Sequence, residues 1–183
     1  METDMNNDIE KILLDEKQIK SICEDLGRKI TADYSGKDLL LVGILKGCIV
    51  FFADVIREIK TECQLDFMVV SSYGNATEST GMVQILKDLS VDIKGRNVLI
   101  VEDIVDSGVT LDNVKRVFEK RGAESVRICT FLDKPARRKA TISPDYIGAS
   151  IPDEFVVGYG LDYAEKYRNL PFLGILKKQV YEK

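Results

Sequence analysis

Apolar positions along this 183-residue chain follow two different periods. Behind Asp15-Glu16-Lys17-Gln18, a capping-box pattern, Ile19, Ile22, Cys23, Leu26 and Ile30 recur every three to four residues. A helix is expected there, with Gly36 at its stop or in the turn that follows. Residues 39–45 form an apolar run broken only by Gly43, as a strand covered on both faces requires. Residues 48–59 are apolar at first and charged only toward the far end, which predicts a second helix, and 65–71 predict another strand. Residues 98–101 are wholly apolar and predict a buried strand; Leu111, Val114, Val117 and Phe118 then give a helical face that Gly122 ends. Residues 125–132 read as the next strand, and 146–149 and 155–158 as short late ones. Strands alternating with helices at this spacing predict an α/β fold, a Rossmann-like and mainly parallel sheet with helices on both sides. The segment 72–81 has turn and hydroxyl composition and little to bury, so it reads as a surface loop or a lid. With no repeat and no linker, one domain over 1–183 is expected.

Composition narrows the classes. An apolar content of 45% suits a single domain with a sizeable core. A formal net charge of −4 and the lack of a long basic run argue against a nucleic-acid partner. Residues 1–8 are polar and acidic, unlike a signal peptide. The greasiest stretch, 39–53, is interrupted by Lys46 and Gly47 and falls short of the ~20 residues a membrane span needs. The four cysteines are scattered without a C-x-x-C pair, which fits a reducing cytoplasm and core packing. There is no histidine, so proton transfer must fall to carboxylate, lysine or tyrosine.

Chemistry concentrates in V-L-I-V-E-D-I-V-D-S-G-V-T-L at 98–111. An apolar strand ends in Glu102 and Asp103, a third acid follows at Asp106, and Ser107, Gly108 and Thr110 stand where a helix begins. Free N–H groups at a helix start favour phosphate, and the acids suit hydroxyls or a hard cation. Taken alone, the acids read equally as a solvated strand end; an ordinary helix cap is the lesser reading of Ser107 to Thr110 once the preceding acids are counted. The G-x-x-x-x-G-K-[ST] loop of a P-loop nucleotidase is absent. In a parallel sheet, ligands gather beyond the carboxyl ends of the strands. Lys46-Gly47, Ser72-Tyr73, 102–110, Asp133-Lys134 and the stretch after Gly158 are all expected at that end.

The segment 98–110 resembles the signature of the type I phosphoribosyltransferases: four apolar residues, two acids, two apolar residues, then D-[ST]-G-x-T. It matches at every position. Further matches follow in the family's order from about residue 8 to residue 176: Leu45-Lys46-Gly47, Ser72-Tyr73-Gly74, F-L-D-K-P at 131–135 and I-P-D-E-F-V-V-G-Y-G-L-D-Y-A-E-K-Y-R-N-L at 151–170. They are similar to the branch that acts on hypoxanthine and guanine, in its bacterial form.

The resemblance implies a small hood over the sheet, a flexible lid and a homo-oligomer, dimer or tetramer. It implies transfer of phosphoribosyl from phosphoribosyl diphosphate to a purine, giving IMP or GMP and diphosphate, with Mg²⁺. By the same resemblance, Ser107, Gly108, Val109 and Thr110 would hold the 5′-phosphate. Glu102 and Asp103 would face the ribose hydroxyls directly or through Mg²⁺, and Asp106 would handle the purine N7 proton. Lys134 would select a 6-oxo group, Phe155 would stack on the base and the Val156 main chain would read its edge. Asp162 would face a second Mg²⁺, Arg168 the diphosphate, and Lys46 and Gly47 would offer it backbone contacts after a cis peptide at Leu45-Lys46. Ser72 and Tyr73 would start the lid. Arg137, Arg138 and Lys139 are read as a solvated basic loop. A xanthine-preferring relative and a nucleotide-sensing regulator of the same fold are the alternatives; Asp106 and Lys134 favour catalysis.

Overall fold

The computed structural model describes residues 5–72 and 83–182. Two sheets divide the chain. The larger has six strands in the order β4-β3-β2-β5-β6-β7, built from β2 (Leu39–Leu45), β3 (Cys63–Ser72), β4 (Val83–Lys87), β5 (Asn97–Val105), β6 (Ser125–Asp133) and β7 (Tyr146–Ser150). All neighbours are parallel except β4, which returns antiparallel to β3. Helices α1 (Glu16–Tyr34) and α2 (Ile49–Glu58) cover one face, and α3 (Val109–Lys120) covers the other. The predicted doubly covered strand is present: Leu39 and Leu41 of β2 face the core under α1 and α2, while Leu40, Val42 and Ile44 face the core under α3.

The capping box closes as read. Asp15 Oδ1 accepts from the Gln18 N–H at 2.8 Å, and Gln18 Oε1 accepts from the Asp15 N–H at 2.9 Å. At the far end α1 stops at Tyr34, and Gly36 turns the chain with φ +73°.

The second sheet is the expected hood, and of its three strands the pattern of single segments revealed only the one at 155–158. β1 (Ile9–Leu14), β8 (Val156–Val157) and β9 (Leu173–Leu176) pair antiparallel in the order β1-β9-β8. Sequence IEKILL in β1 lacks strict alternation because the strand lies at an edge and carries register shifts. The strand expected over 155–158 shrinks to two residues.

One boundary moves in a way that matters for chemistry. β5 continues past Val101 to Val105 because its pairing with β6 persists through Glu102↔Thr130, Ile104↔Leu132 and Val105↔Asp133. The two acids therefore sit inside a hydrogen-bonded strand, where the ladder fixes their backbone. Among the described residues, no helix is long and apolar enough to cross a membrane.

Candidate functional site

A cavity of about 330 Å³ opens at the carboxyl ends of β2 and β5. From the expected set it gathers Lys46, Gly47, Glu102, Asp103, Asp106, Ser107, Gly108, Thr110, Asp162 and Arg168. Lys134, Phe155, Val156 and Val109 lie outside its lining; Ser72 is the last residue of β3. Tyr73 lies outside the described residues, with the rest of the lid expectation.

The floor is set by backbone geometry. The Leu45-Lys46 peptide is cis, as the resemblance implied. Gly47 then passes so close to β5 that a Cβ on it would stand 1.7 Å from Asp103 Oδ2, so any side chain there would force the Asp103 carboxylate to move. Gly108, in the left-handed region at φ +76°, caps α3; a Cβ there would meet Ile142 Cγ2 at 2.6 Å. Thr110 and Leu111, in the first turn of α3 where N–H groups lack helical acceptors, line the cavity. Val109 N–H contacts Ser107 Oγ at 3.4 Å, so the serine hydroxyl already lies over that helix start.

Arg138 corrects one expectation. Read with Arg137 and Lys139 as a solvated basic loop, it is instead a clamp under the turn between β5 and α3. It donates to Asp106 O at 3.1 Å and Ile142 O at 2.7 Å, reaches Val105 O at 3.4 Å and pairs with the Asp133 carboxylate. Only the fold supplies those acceptors, since they come from β5, β6 and the following loop. Arg137 and Lys139 are exposed, as expected.

A second group of residues lies beside the cavity. Lys134 is buried, its backbone N–H bonded to Val105 O at 3.0 Å and its Nζ donating to Glu154 O at 2.8 Å. Phe155 follows immediately and stays 37% exposed, while Val156 is buried in β8. Arg137 joins the two regions: its Nη1 is 4.0 Å from Asp106 Oδ2, and its Nε is 2.6 Å from Asp153 Oδ1, itself 3.9 Å from Lys134 Nζ. Neither Arg137 nor Asp153 stood out in the sequence, because each is an ordinary loop charge until the fold places it.

Phosphoribosyl transferase domain is the family whose model matches, over residues 10–164. The chain belongs to the phosphoribosyltransferase family. This phosphoribosyltransferase is 54% identical over 177 residues to the hypoxanthine-guanine phosphoribosyltransferase of Staphylococcus aureus, covering 97% of this chain and 99% of that one. It is 52% identical over 178 residues to the enzyme of that name from Bacillus subtilis, again over 97% and 99% of the two chains. A crystal structure of a hypoxanthine phosphoribosyltransferase from Staphylococcus aureus superposes with a TM-score of 0.96 at 52% identity, covering 100% of both chains.

The electrostatics of the phosphoribosyltransferase site are those of acids awaiting a counter-charge. Glu102 has its Oε2 buried without a hydrogen-bond partner. Burial, reinforced by neighbouring Asp103, pushes its carboxyl well above the usual range. Burial likewise raises Asp103 to about 6, against the pull of backbone N–H groups and Arg168. Asp106 Oδ1 is also buried and unpartnered. Among the described residues no three carboxylate or cysteine side chains form a ready cage for a metal. Magnesium does not require one, since it keeps water and substrate oxygens and takes one or two carboxylates. The orphaned Glu102 oxygen therefore fits such a cation.

Asp162 and Arg168 meet each other at 2.7 Å, and Arg168 also donates to Gly160 O at 2.8 Å. Glu165, which sequence reading passed over, lies 3.1 Å from Lys46 Nζ and 3.5 Å from Arg168 Nη2. Tyr159, Ala164, Glu165 and Tyr167 all adopt positive φ between 50° and 74°, so the loop that presents this pair is held in a sparsely populated backbone.

The cysteines offer no competing nucleophile. Burial raises the Cys23 thiol to about 11 and pushes Cys48 and Cys129 higher still, so none is a thiolate at neutral pH.

Proposed function

We propose that the chain is a purine-salvage enzyme moving the 5-phosphoribosyl group from phosphoribosyl diphosphate to N9 of hypoxanthine or guanine. The observation that carries this reading is the sharing of one cavity by the acid pair, the helix-start turn and the Asp162–Arg168 pair. The near full-length likeness to hypoxanthine-guanine phosphoribosyltransferases supports the choice of purine.

The phosphate end of the substrate enters the turn of Ser107, Gly108, Val109 and Thr110, where N–H groups and hydroxyls neutralise it. Glu102 and Asp103 face the ribose 2′- and 3′-hydroxyls. Lys46 and Gly47 offer main-chain contacts to the diphosphate, and Arg168 can turn from Asp162 toward it. Glu102, Asp103 and Asp162 would hold Mg²⁺, which would supply positive charge for the departing diphosphate. Beside this, Lys134 reaches the purine 6-oxo oxygen, Phe155 stacks on the ring and the Val156 main chain reads its edge. A site built around that lysine hydrogen bond can reject a 6-amino purine by about 10⁴ or more.

In the reaction, N9 forms a bond to the anomeric carbon while the bond from that carbon to the diphosphate oxygen breaks. The purine N7 proton passes to the Asp106 carboxylate. IMP or GMP and diphosphate are the products, and no covalent enzyme intermediate is needed. We place the protein in the cytoplasm as a homo-oligomer.

Steady-state rates with hypoxanthine, guanine, xanthine and adenine, each with phosphoribosyl diphosphate and Mg²⁺, test the reading. Turnover of the first two, with adenine near background, is expected. Xanthine as the best substrate would reassign the base. Salt-sensitive RNA or DNA binding without turnover would reassign the protein as a regulator.

A further inference from the structure

The ring proposed to stack on the base is already held from behind. The Phe155 carbonyl accepts the Leu176 N–H at 2.9 Å, which ties its backbone to the end of β9. The chain then forms the short helix α4 (Lys178–Tyr181) and lays Tyr181 on Phe155, with ring centroids 4.7 Å apart and planes 22° apart. Tyr163, next to Asp162, meets Phe155 edge-on at 5.6 Å and 88°, and meets Tyr181 at 6.5 Å and 66°. Three rings from three segments thus form one packed set.

The tail carrying Tyr181 is itself anchored. Lys177 N–H donates to Asp8 O at 2.9 Å, and Lys177 Nζ donates to Asn7 O at 2.6 Å. A phenylalanine ring has two faces. Tyr181 takes one of them, while Phe155 keeps 37% of its surface open to solvent. A lone exposed phenylalanine would have to give up rotamer freedom when a base stacked on it. A braced one has already done so.

We propose that Tyr181 is a positioning residue for the purine: it backs Phe155, with Tyr163 against the edge, so that the stacking plane is set before the base arrives. This rests on the reading of Phe155 as the stacking residue. It makes the C-terminal tail part of base recognition, although Tyr181 touches neither the phosphate turn nor the acids.

The test measures KM for hypoxanthine, KM for phosphoribosyl diphosphate, kcat and thermal melting in Phe155→Ala, Tyr181→Ala, Tyr181→Phe and the double alanine variant. Phe155→Ala should raise the hypoxanthine KM roughly 5- to 150-fold, the equivalent of one lost base–aromatic stack. Tyr181→Ala should raise it roughly 2- to 12-fold, the equivalent of one aromatic pair, with the other KM and kcat within about twofold. Tyr181→Phe should behave as the parent, and Tyr181→Ala should add nothing once Phe155 is alanine. An unchanged hypoxanthine KM in Phe155→Ala overturns the stacking role and the brace with it. A normal Tyr181→Ala beside a defective Phe155→Ala overturns the brace alone. So does a lower hypoxanthine KM, which would mean that the tyrosine occupies the face the base needs. A parallel rise in both KM values with a lower melting point would make Tyr181 merely structural and overturn it equally.

Discussion

At Glu102 the protein buries a carboxylate oxygen without giving it a partner, next to a second raised acid. Such an arrangement costs stability until a substrate or cation arrives. Glu102→Gln should therefore melt higher than the parent in metal-free buffer near pH 8, by on the order of 1 kcal/mol, while losing most turnover. Calorimetry and a rate assay together check it. Asp106 has a different task, so Asp106→Asn should keep phosphate binding and lose about 10²- to 10⁴-fold in turnover; near-normal rates would remove it from the proton step. Gly47→Ala drives a methyl onto Asp103. It should raise the KM for phosphoribosyl diphosphate and lower kcat, since displacement by about 1 Å near the reacting groups can cost 10²-fold; hypoxanthine binding measured alone should be untouched. Residue types and spacing announced these acids and the glycine turn, because their chemistry is local. Asp153 and Glu165 stayed unread and Arg137 was read only as a solvated loop charge, because a loop charge takes its meaning from partners that only the fold supplies.

Among elements, the segment linking β5 to α3 holds the proposed phosphate turn, and its rigidity comes from below. Arg138 ties Val105, Asp106, Ile142 and Asp133 together with one guanidinium. Arg138→Ala should destabilise the fold by about 3–5 kcal/mol, as expected when a largely buried pair loses one partner. It should also raise the KM for phosphoribosyl diphosphate. Arg138→Lys should not rescue either property, since one ammonium cannot reproduce a planar fork of donors. Denaturant melts and steady-state rates decide it. Elements with strong periodicity were legible: α1 with its capping box, β2 with two buried faces, α3 with its glycine ends. β1, β4 and β9 were not, since short edge strands and a short middle one lack a run long enough to show a period.

For the molecule as a whole, the proposed sugar-phosphate contacts lie at the larger sheet and the proposed base contacts Phe155 and Val156 at the hood, with Lys134 just past β6, so the proposed chemistry happens at a seam between two sheets. The larger sheet also contains a pH-sensitive fastening. Burial works to raise the Asp66 carboxyl, but the N–H groups of Phe67 and Ser90, at 2.7 and 2.6 Å, and nearby Lys87 outweigh it and hold it below its ordinary value. A depressed folded value means stabilisation that is complete above the ordinary 3.8 and lost as pH falls through the lower folded value. Asp66→Asn should therefore be less stable than the parent at neutral pH by on the order of 1–3 kcal/mol. The gap should close in acid, as paired melts from pH 7 to pH 3 would show.

The hood joins the two ends of the chain: Ile9 pairs with Leu176 and Leu14 with Leu173. During synthesis β1 is made before every strand of the larger sheet, and its partner β9 after all of them. Until then Ile12 and its neighbours form an unpaired apolar edge, the kind of surface that chaperones bind and that aggregation exploits. The strands of the larger sheet, with the proposed sugar site, all precede β8 and β9. The hood that carries the proposed base contacts Phe155 and Val156 closes only when β9 joins β1, so on the proposed assignment the base site is completed after the sugar site.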